Sequence, residues 1–122
     1  MLDTSIILHV FKQNKAIAAR LDTFAEIFVC PVVIGELRYG AFLSADITRH
    51  SKQIDDFLTG CKIISIDNDT ATVYGKLRAN LKKQGNPIPE NDIWIAACAI
   101  RLNLPLFTTD KHFEKLEGLS LL

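Results

Sequence analysis

Four acidic residues, Asp3, Glu36, Asp92 and Asp110, lie far apart in the 122-residue chain, yet each follows a short apolar run or sits in the first turns of an apolar helix. In a parallel α/β sheet the carboxyl ends of the strands and the starts of the following helices converge on one edge, so carboxylates remote in sequence can meet there. Gathered carboxylates repel one another and are hard to keep ionised unless a cation lies between them. The expected chemistry is that of a magnesium- or manganese-dependent enzyme. Hard divalent cations favour oxygen ligands, and magnesium often uses only one or two carboxylates directly, leaving the others to bind its waters or a second ion. Two such ions can activate an attacking water and stabilise the leaving oxygen of an in-line phosphodiester cleavage.

Taken singly, three of the acids have plainer explanations. Asp3 can cap the first helix, Asp92 can complement a helix dipole, and Asp110 can cap the helix that bears Phe113. Glu36 gains nothing from capping, because it lies within a helix between Ile34 and Leu37. Its plain reading is a solvated face or a pair with Arg38. Four acids on one sheet edge would be wasteful as caps, since their repulsion costs stability, and the joint pattern therefore favours a metal site. Glu90, near Asp92, reads as a first-turn dipole partner. Other chemistries find less support. His9, His50 and His112 share no ligand spacing, no serine or cysteine lies in a nucleophile motif, and no Gly-x-Gly-x-x-Gly turn is present. Asp3-Thr4-Ser5 also lacks the second aspartate expected where an aspartyl-phosphate forms.

The elements that must position these acids alternate between strand and helix. Met1–Leu2 is the stub of a strand, clipped relative to the usual ~5–6 residues, and Asp3-Thr4-Ser5 starts a helix carrying Ile6, Ile7, Val10 and Phe11. Helical spacing continues from Ala16 through Leu21 to Phe24. Ile27–Val32 is uncharged and rich in β-branched and aromatic residues, as expected of a strand covered on both faces, with helix resuming near Val33. Ile47–Leu58 is an amphipathic helix and Lys62–Ile66 a strand. Asp67-Asn68-Asp69 caps a helix from Thr70 to about Lys83, on which Val73, Leu77 and Leu81 recur every four residues. After a break at Gln84–Pro89, a nearly all-apolar helix from Asn91 to about Leu102 must be central, with Pro89 and the acids at its start. Pro105–Thr108 is a short buried strand, Asp110–Leu116 a short helix and Leu119–Leu122 an edge strand. This order predicts a single α/β domain over residues 1–122, a three-layer sandwich with right-handed crossovers and a mainly parallel sheet.

Composition sets limits on the partners. A hydrophobic fraction of 48% with a formal net charge of zero describes a folded domain that does not coat nucleic acid indiscriminately, although a local basic stripe could still grip phosphate. Cys30, Cys61 and Cys98 are widely spaced in apolar runs and read as buried free thiols suited to a reducing cytoplasm. No targeting leader is evident, and no apolar stretch approaches the ~20 residues of a membrane span.

The motifs themselves resemble a known family. Leu2-Asp3-Thr4-Ser5, Pro31-Val32-Val33-Ile34-Gly35-Glu36-Leu37, Asn91-Asp92-Ile93-Trp94-Ile95-Ala96-Ala97 and Leu106-Phe107-Thr108-Thr109-Asp110-Lys111-His112-Phe113 closely resemble a PIN-domain ribonuclease, and more narrowly a VapC-type toxin. The resemblance runs through the whole chain in order and includes Tyr74-Gly75-Lys76-Leu77-Arg78. It implies a three-layer α/β/α PIN-like fold in which Asp3, Glu36, Asp92 and Asp110 form the acidic quartet. Asp3 and Asp92 would be the direct magnesium ligands, with manganese as the alternative ion, and Glu36 and Asp110 would position waters or a second ion. Thr108 matches the family's hydroxyl at the last strand end, although an ordinary strand threonine reads the same way. Thr4 and Ser5 would support Asp3, with Ser5 standing where many members have asparagine.

The resemblance also implies cleavage of structured RNA such as tRNA or rRNA, leaving a 5′-phosphate and a 3′-hydroxyl. A cognate VapB-like antitoxin would hold the activity off, its tail covering the acidic groove and its other end binding operator DNA, and the toxin would form a homodimer. For the RNA contacts, Lys76, Arg78, Lys82 and Lys83 form the one net-basic stretch, though a solvated helix face explains them as well. Arg38 and Lys111 lie nearer the acids in sequence and are better candidates for phosphate contact. Trp94, in an apolar helix, reads as core. Two other readings stay open at this point: a catalytically silent module that binds antitoxin or RNA, and a phosphohydrolase acting on small phosphate esters.

Overall fold

Two residues of extended chain at the start of the protein hold the centre of the sheet. In the computed structural model, which describes all 122 residues, Leu2 N–H donates to Phe28 O at 2.9 Å, Phe107 N–H donates to Met1 O at 2.9 Å, and Asp3 N–H donates to Phe107 O at 3.0 Å. Leu2 is only 2% exposed. The clipped strand is thus clamped between two neighbours, and Asp3 follows directly from its end.

The rest of the sheet is built outward from Leu2. β1 (Phe28–Val29) pairs in parallel with β2 (Lys62–Ile63), in the register Phe28 opposite Lys62. On the other side of Leu2, Phe107 pairs in parallel with it, and Leu106 pairs in parallel with Leu121. The order across the layer is therefore β2, β1, Leu2, Leu106–Phe107, Leu121, with every recorded pairing parallel. These are shorter pieces than the sequence suggested. Lys62–Ile66 contracts to Lys62–Ile63, which is exposed at the edge, Pro105–Thr108 contributes isolated pairings at Leu106 and Phe107, and Leu119–Leu122 contributes one at Leu121.

Six α-helices complete the α/β fold: α1 (Thr4–Phe11), α2 (Lys15–Leu21), α3 (Pro31–Leu43), α4 (Ile47–Leu58), α5 (Asn68–Gln84) and α6 (Glu90–Arg101), followed by a 3-10 turn at Lys111–Lys115. α3 begins at Pro31, two residues before the expected Val33, so Val32 belongs to a helix and not to a strand. An uncharged β-branched run fits either state, and the proline at N1 decides it: its fixed φ suits the first helical turn and its missing amide hydrogen is not needed there. α2 ends at Leu21, short of Phe24, which packs edge-on against Phe107 with ring centroids 6.3 Å apart. α5 is capped by Asp67, which accepts from Thr70 N–H at 2.8 Å, and it closes at Gly85 in the left-handed conformation, φ 68°. Glycine adopts that conformation without the strain a Cβ would bring.

α6 is the central helix the sequence called for. Asp92, Ile93, Ile95, Ala96, Ala97, Cys98 and Ala99 are all buried, and the run of small residues lets neighbouring backbone approach closely. Trp94 departs from expectation. It is half-buried and stacked on Tyr74 of α5, with centroids 3.8 Å apart, because its position on α6 faces the α5 seam and not the sheet. Cys30 and Cys98 are buried free thiols, while Cys61 is only partly covered. No helix is long and apolar enough to cross a membrane.

Because so little strand carries the sheet, its centre is sensitive. Leu2→Ala should lower stability by about 2–4 kcal/mol, the range for emptying a buried leucine site. The shift of the urea midpoint measures it, and an effect below about 1 kcal/mol would show that the clamp on Asp3 does not depend on this side chain.

Candidate active site

Each of the four acids arrives on a different element. Asp3 is the N-cap position of α1, Glu36 lies in the second turn of α3, Asp92 in the first turn of α6, and Asp110 caps the 3-10 turn, accepting from His112 N–H at 2.9 Å. Only Asp110 caps through its side chain. Asp3 makes no side-chain cap hydrogen bond, which removes the plain explanation for a buried acid at this helix start. Its Oδ2 instead accepts from Ser5 Oγ at 2.8 Å and from Thr108 Oγ1 at 2.7 Å.

Thr108 does more than hold Asp3. Its hydroxyl oxygen also accepts from Asp110 N–H at 2.9 Å, so one side chain joins the first acid to the backbone of the last. Ser5 Oγ similarly accepts from Thr109 N–H at 3.1 Å. Glu36 is held from the α1 side, where Thr4 Oγ1 donates to its Oε1 at 3.0 Å. The Asp3-Thr4-Ser5 turn thereby reaches Asp3, Glu36 and the Thr108–Asp110 turn at once.

The electrostatics show that the four share one field. Burial, followed by the negative charges of Asp110 and Asp3 and more weakly Glu36, pushes the Asp92 carboxyl from its ordinary 3.8 up to about 6, against the His112 hydrogen bond that favours ionisation. Glu36 is also raised, first by burial and then by the charges of Asp3 and Asp110, with the Thr4 hydrogen bond opposing. Asp3 is 4% exposed and Asp92 8%, yet no ion pair within 4.0 Å brings a lysine or arginine to any of the four acids. A buried carboxylate without a counter-charge is costly, and several together are costlier.

His112 is the residue that spacing alone did not reveal. Its Nδ1 lies 3.3 Å from Asp92 Oδ2 and 3.1 Å from Asp110 Oδ1, which makes Asp92, Asp110 and His112 a group whose ligand atoms all fall within 4.8 Å of one another. The available signal was local: in Asp110-Lys111-His112 the capping turn folds residue 112 back over the cap. The donor set fits a hard divalent cation. It consists of carboxylate oxygens with one imidazole nearby, Asp3 and Asp92 are buried, and the one basic side chain within 4.0 Å of these acids is the His112 ring.

Of the two basic residues expected at the substrate, Lys111 is exposed directly after Asp110 and forms no ion pair. Arg38 is placed differently. Its guanidinium turns to α4, pairing with Asp55 at 2.6 Å and donating to Ser51 O at 3.4 Å. Lys76, Lys82 and Lys83 are exposed on α5, whereas Arg78 pairs with Glu90 at 3.1 Å and with the Tyr74 hydroxyl at 2.8 Å.

Comparison with known proteins gives a consistent result. A family model described as the PIN domain matches residues 1–119. Ribonuclease VapC2 of Haemophilus influenzae is 36% identical over 122 residues, covering 98% of this chain and 92% of that protein. The tRNA(fMet)-specific endonuclease VapC of Shigella flexneri is 31% identical over 122 residues, with 98% and 92% covered. Among solved structures, VapBC2 from Rickettsia felis bound to a DNA fragment from its promoter superimposes with a TM-score of 0.96 at 31% identity, covering 100% of this chain and 96% of that one.

The raised Asp92 carboxyl has a thermodynamic consequence. The folded metal-free protein binds more protons here than the unfolded chain between about pH 4 and about 6, so stability falls as pH rises through that window and stays lower above it. Asp92→Asn should therefore raise the neutral-pH Tm of the metal-free protein by about 2–6 °C, with the gain vanishing near pH 4. Millimolar magnesium should raise the Tm of the parent and not of the variant. Calorimetric scans at both pH values check this, and a variant no more stable than its parent at pH 7 would refute it.

Proposed function

Because the chain belongs to the PIN-domain family, among its VapC ribonucleases, we propose that it is a metal-dependent endoribonuclease and the toxin of a toxin–antitoxin pair. One observation carries the catalytic part of this reading: buried Asp3 and Asp92 converge with Glu36 and Asp110 with no lysine or arginine to offset them. A site of that charge is built to receive a cation. Asp3 and Asp92 would hold it, with Glu36 and Asp110 beside them, and magnesium or manganese suits the oxygen donors. When bound, the ion supplies Lewis acidity, neutralises the clustered charge and makes the attacking water more acidic.

The chain's own residues do the rest. Ser5 and Thr108 fix one oxygen of Asp3 and leave the other unengaged by either hydroxyl. Thr4 orients Glu36, whose raised proton affinity suits it to accept a proton from water. The His112 backbone N–H sets Asp110, and exposed Lys111 stands next to it, where an RNA phosphate can be met. Arg38 would reach phosphate only on leaving Asp55. Water would form the new bond to phosphorus as the P–O3′ bond breaks, leaving a 5′-phosphate and a 3′ oxygen that takes up a proton to become the hydroxyl.

The substrate is a structured RNA, tRNA or rRNA, and the name of the Shigella flexneri relative supports tRNA. The partner is a VapB-like antitoxin that reaches promoter DNA on the toxin's behalf, a reading supported by the Rickettsia felis complex. The working form is a homodimer in the cytoplasm, where such RNA is found.

Purified Asp3→Asn and Asp92→Asn should lose at least about 100-fold in magnesium-dependent RNA cleavage, because the Lewis-acid contribution is worth several kcal/mol. Circular dichroism should confirm an intact fold, and unchanged cleavage by folded variants would sink the assignment. Thr108→Ala should lose about 10–100-fold, as expected for a group that orients a ligand. Lys111→Ala should reduce the slope of log affinity against log salt by about 0.7, one phosphate contact on a single strand. An unaltered slope would remove Lys111 from the substrate surface.

A further inference from the structure

A cavity of about 260 Å³ opens beside the acidic site, sharing Thr4 and Glu36 with it and running between α1, α3 and α4. Leu8, Phe11, Leu37, Ala41 and Ile54 make its walls apolar, and Ser44, His50 and Gln53 add polar groups. We propose that this cavity is the subsite for one unstacked base of the RNA, that of a nucleotide adjoining the scissile phosphate. The proposal rests on the ribonuclease reading above and deepens it.

Three observations converge. The cavity begins where the phosphodiester must lie, since Glu36 belongs to both. A nucleotide whose phosphate meets the acids therefore has its base within reach of the opening. The lining has the character that base recognition needs, apolar surface for the two faces of the ring and a few polar groups for its edge. Its size falls just below the roughly 300–1,000 Å³ of pockets that take drug-sized ligands, which suits a single base.

The polar groups differ in availability. Thr4 donates to Glu36 at 3.0 Å and Ser44 to Ala41 O at 2.6 Å, while the His50 ring has only Arg49 at 3.5 Å. The Gln53 amide makes no hydrogen bond within the chain, so its donors and its acceptor are free to read a base edge.

Gly40 supplies the third observation. It sits inside α3, where glycine weakens a helix, yet a Cβ built on it would meet nothing within 4 Å. Internal packing does not require this glycine. It lines the cavity, and any larger residue would narrow the space.

The test uses an RNA oligonucleotide that the wild-type protein cleaves with magnesium, together with versions carrying an abasic ribose on either side of the scissile phosphate. The abasic ribose on one side should lower wild-type kcat/KM by about 5–100-fold, the loss of one stacked base. Gly40→Phe should lower cleavage of the intact oligonucleotide comparably and show no further loss on the abasic one. Gln53→Ala, which leaves the helix unburdened, should change which base is preferred at that position, and melting curves should verify both folds.

Overturning results are distinct from one another. If the wild type cleaves RNA but ignores both abasic positions, or if Gly40→Phe cleaves normally, the subsite is refuted while the ribonuclease reading stands. If Gly40→Phe cleaves normally but no longer binds the co-expressed antitoxin, the cavity serves a protein partner instead. A wild type that cleaves no RNA overturns the ribonuclease reading and this inference with it.

Discussion

The structure turns on the burial of negative charge. Asp3 and Asp92 are almost fully withdrawn from water, Glu36 and Asp110 stand within their field, and no lysine or arginine offsets them. Burial first, and then the negative charges of Asp110 and Asp3, push the Asp92 carboxyl up to about 6. Such a cluster persists only because the fold around it is over-determined: Asp3 follows a strand clamped on both sides, and Asp92 stands at the start of the most buried helix. The stability lost at the site is offset elsewhere, as is common where function requires an unfavourable arrangement.

The hydroxyls make this arrangement one unit. Thr108 reaches Asp3 across 105 residues of sequence and joins it to the backbone of Asp110, and Thr4 ties α1 to Glu36 on α3. A carboxylate with one oxygen fixed by two hydroxyl donors has little freedom to rotate, which keeps its remaining oxygen aimed. The threonine that the sequence could not separate from an ordinary strand residue is, in the folded chain, the bridge between its two ends.

Much of this could be read before folding was considered. The acids could be found because each falls where a parallel sheet delivers side chains to one edge, and that edge is a property of topology, not of exact strand length. Strand boundaries were less readable. Cys30 to Ile34 is uncharged and mostly β-branched, and only the proline at N1 shows that the helix has begun. Trp94 misled because an apolar helix near the sheet still has one face turned to its neighbour, and Tyr74 takes that face. His112 escaped because its partnership with Asp92 spans 20 residues and depends on the turn that Asp110 caps. The cavity at Gly40 is less readable still, since empty space has no residue pattern of its own.

His112 also bears on which ion the site favours. Carboxylates alone suit magnesium, which binds oxygen and keeps much of its water, whereas imidazole nitrogen strengthens binding of transition ions in the order that places manganese lowest and copper highest. Within the set of Asp92, Asp110 and His112, a ring that turns its nitrogen to the ion makes the site mixed, and one that only donates to the carboxylates keeps it a pure oxygen site. At 3.3 and 3.1 Å from the two acids, Nδ1 is in hydrogen-bonding range of both. A proton on Nδ1 would commit that nitrogen to the carboxylates and leave Nε2 as the ring's one possible ligand atom. For an ion held here, the direction of one hydrogen bond would weigh on the choice of metal alongside the count of acids.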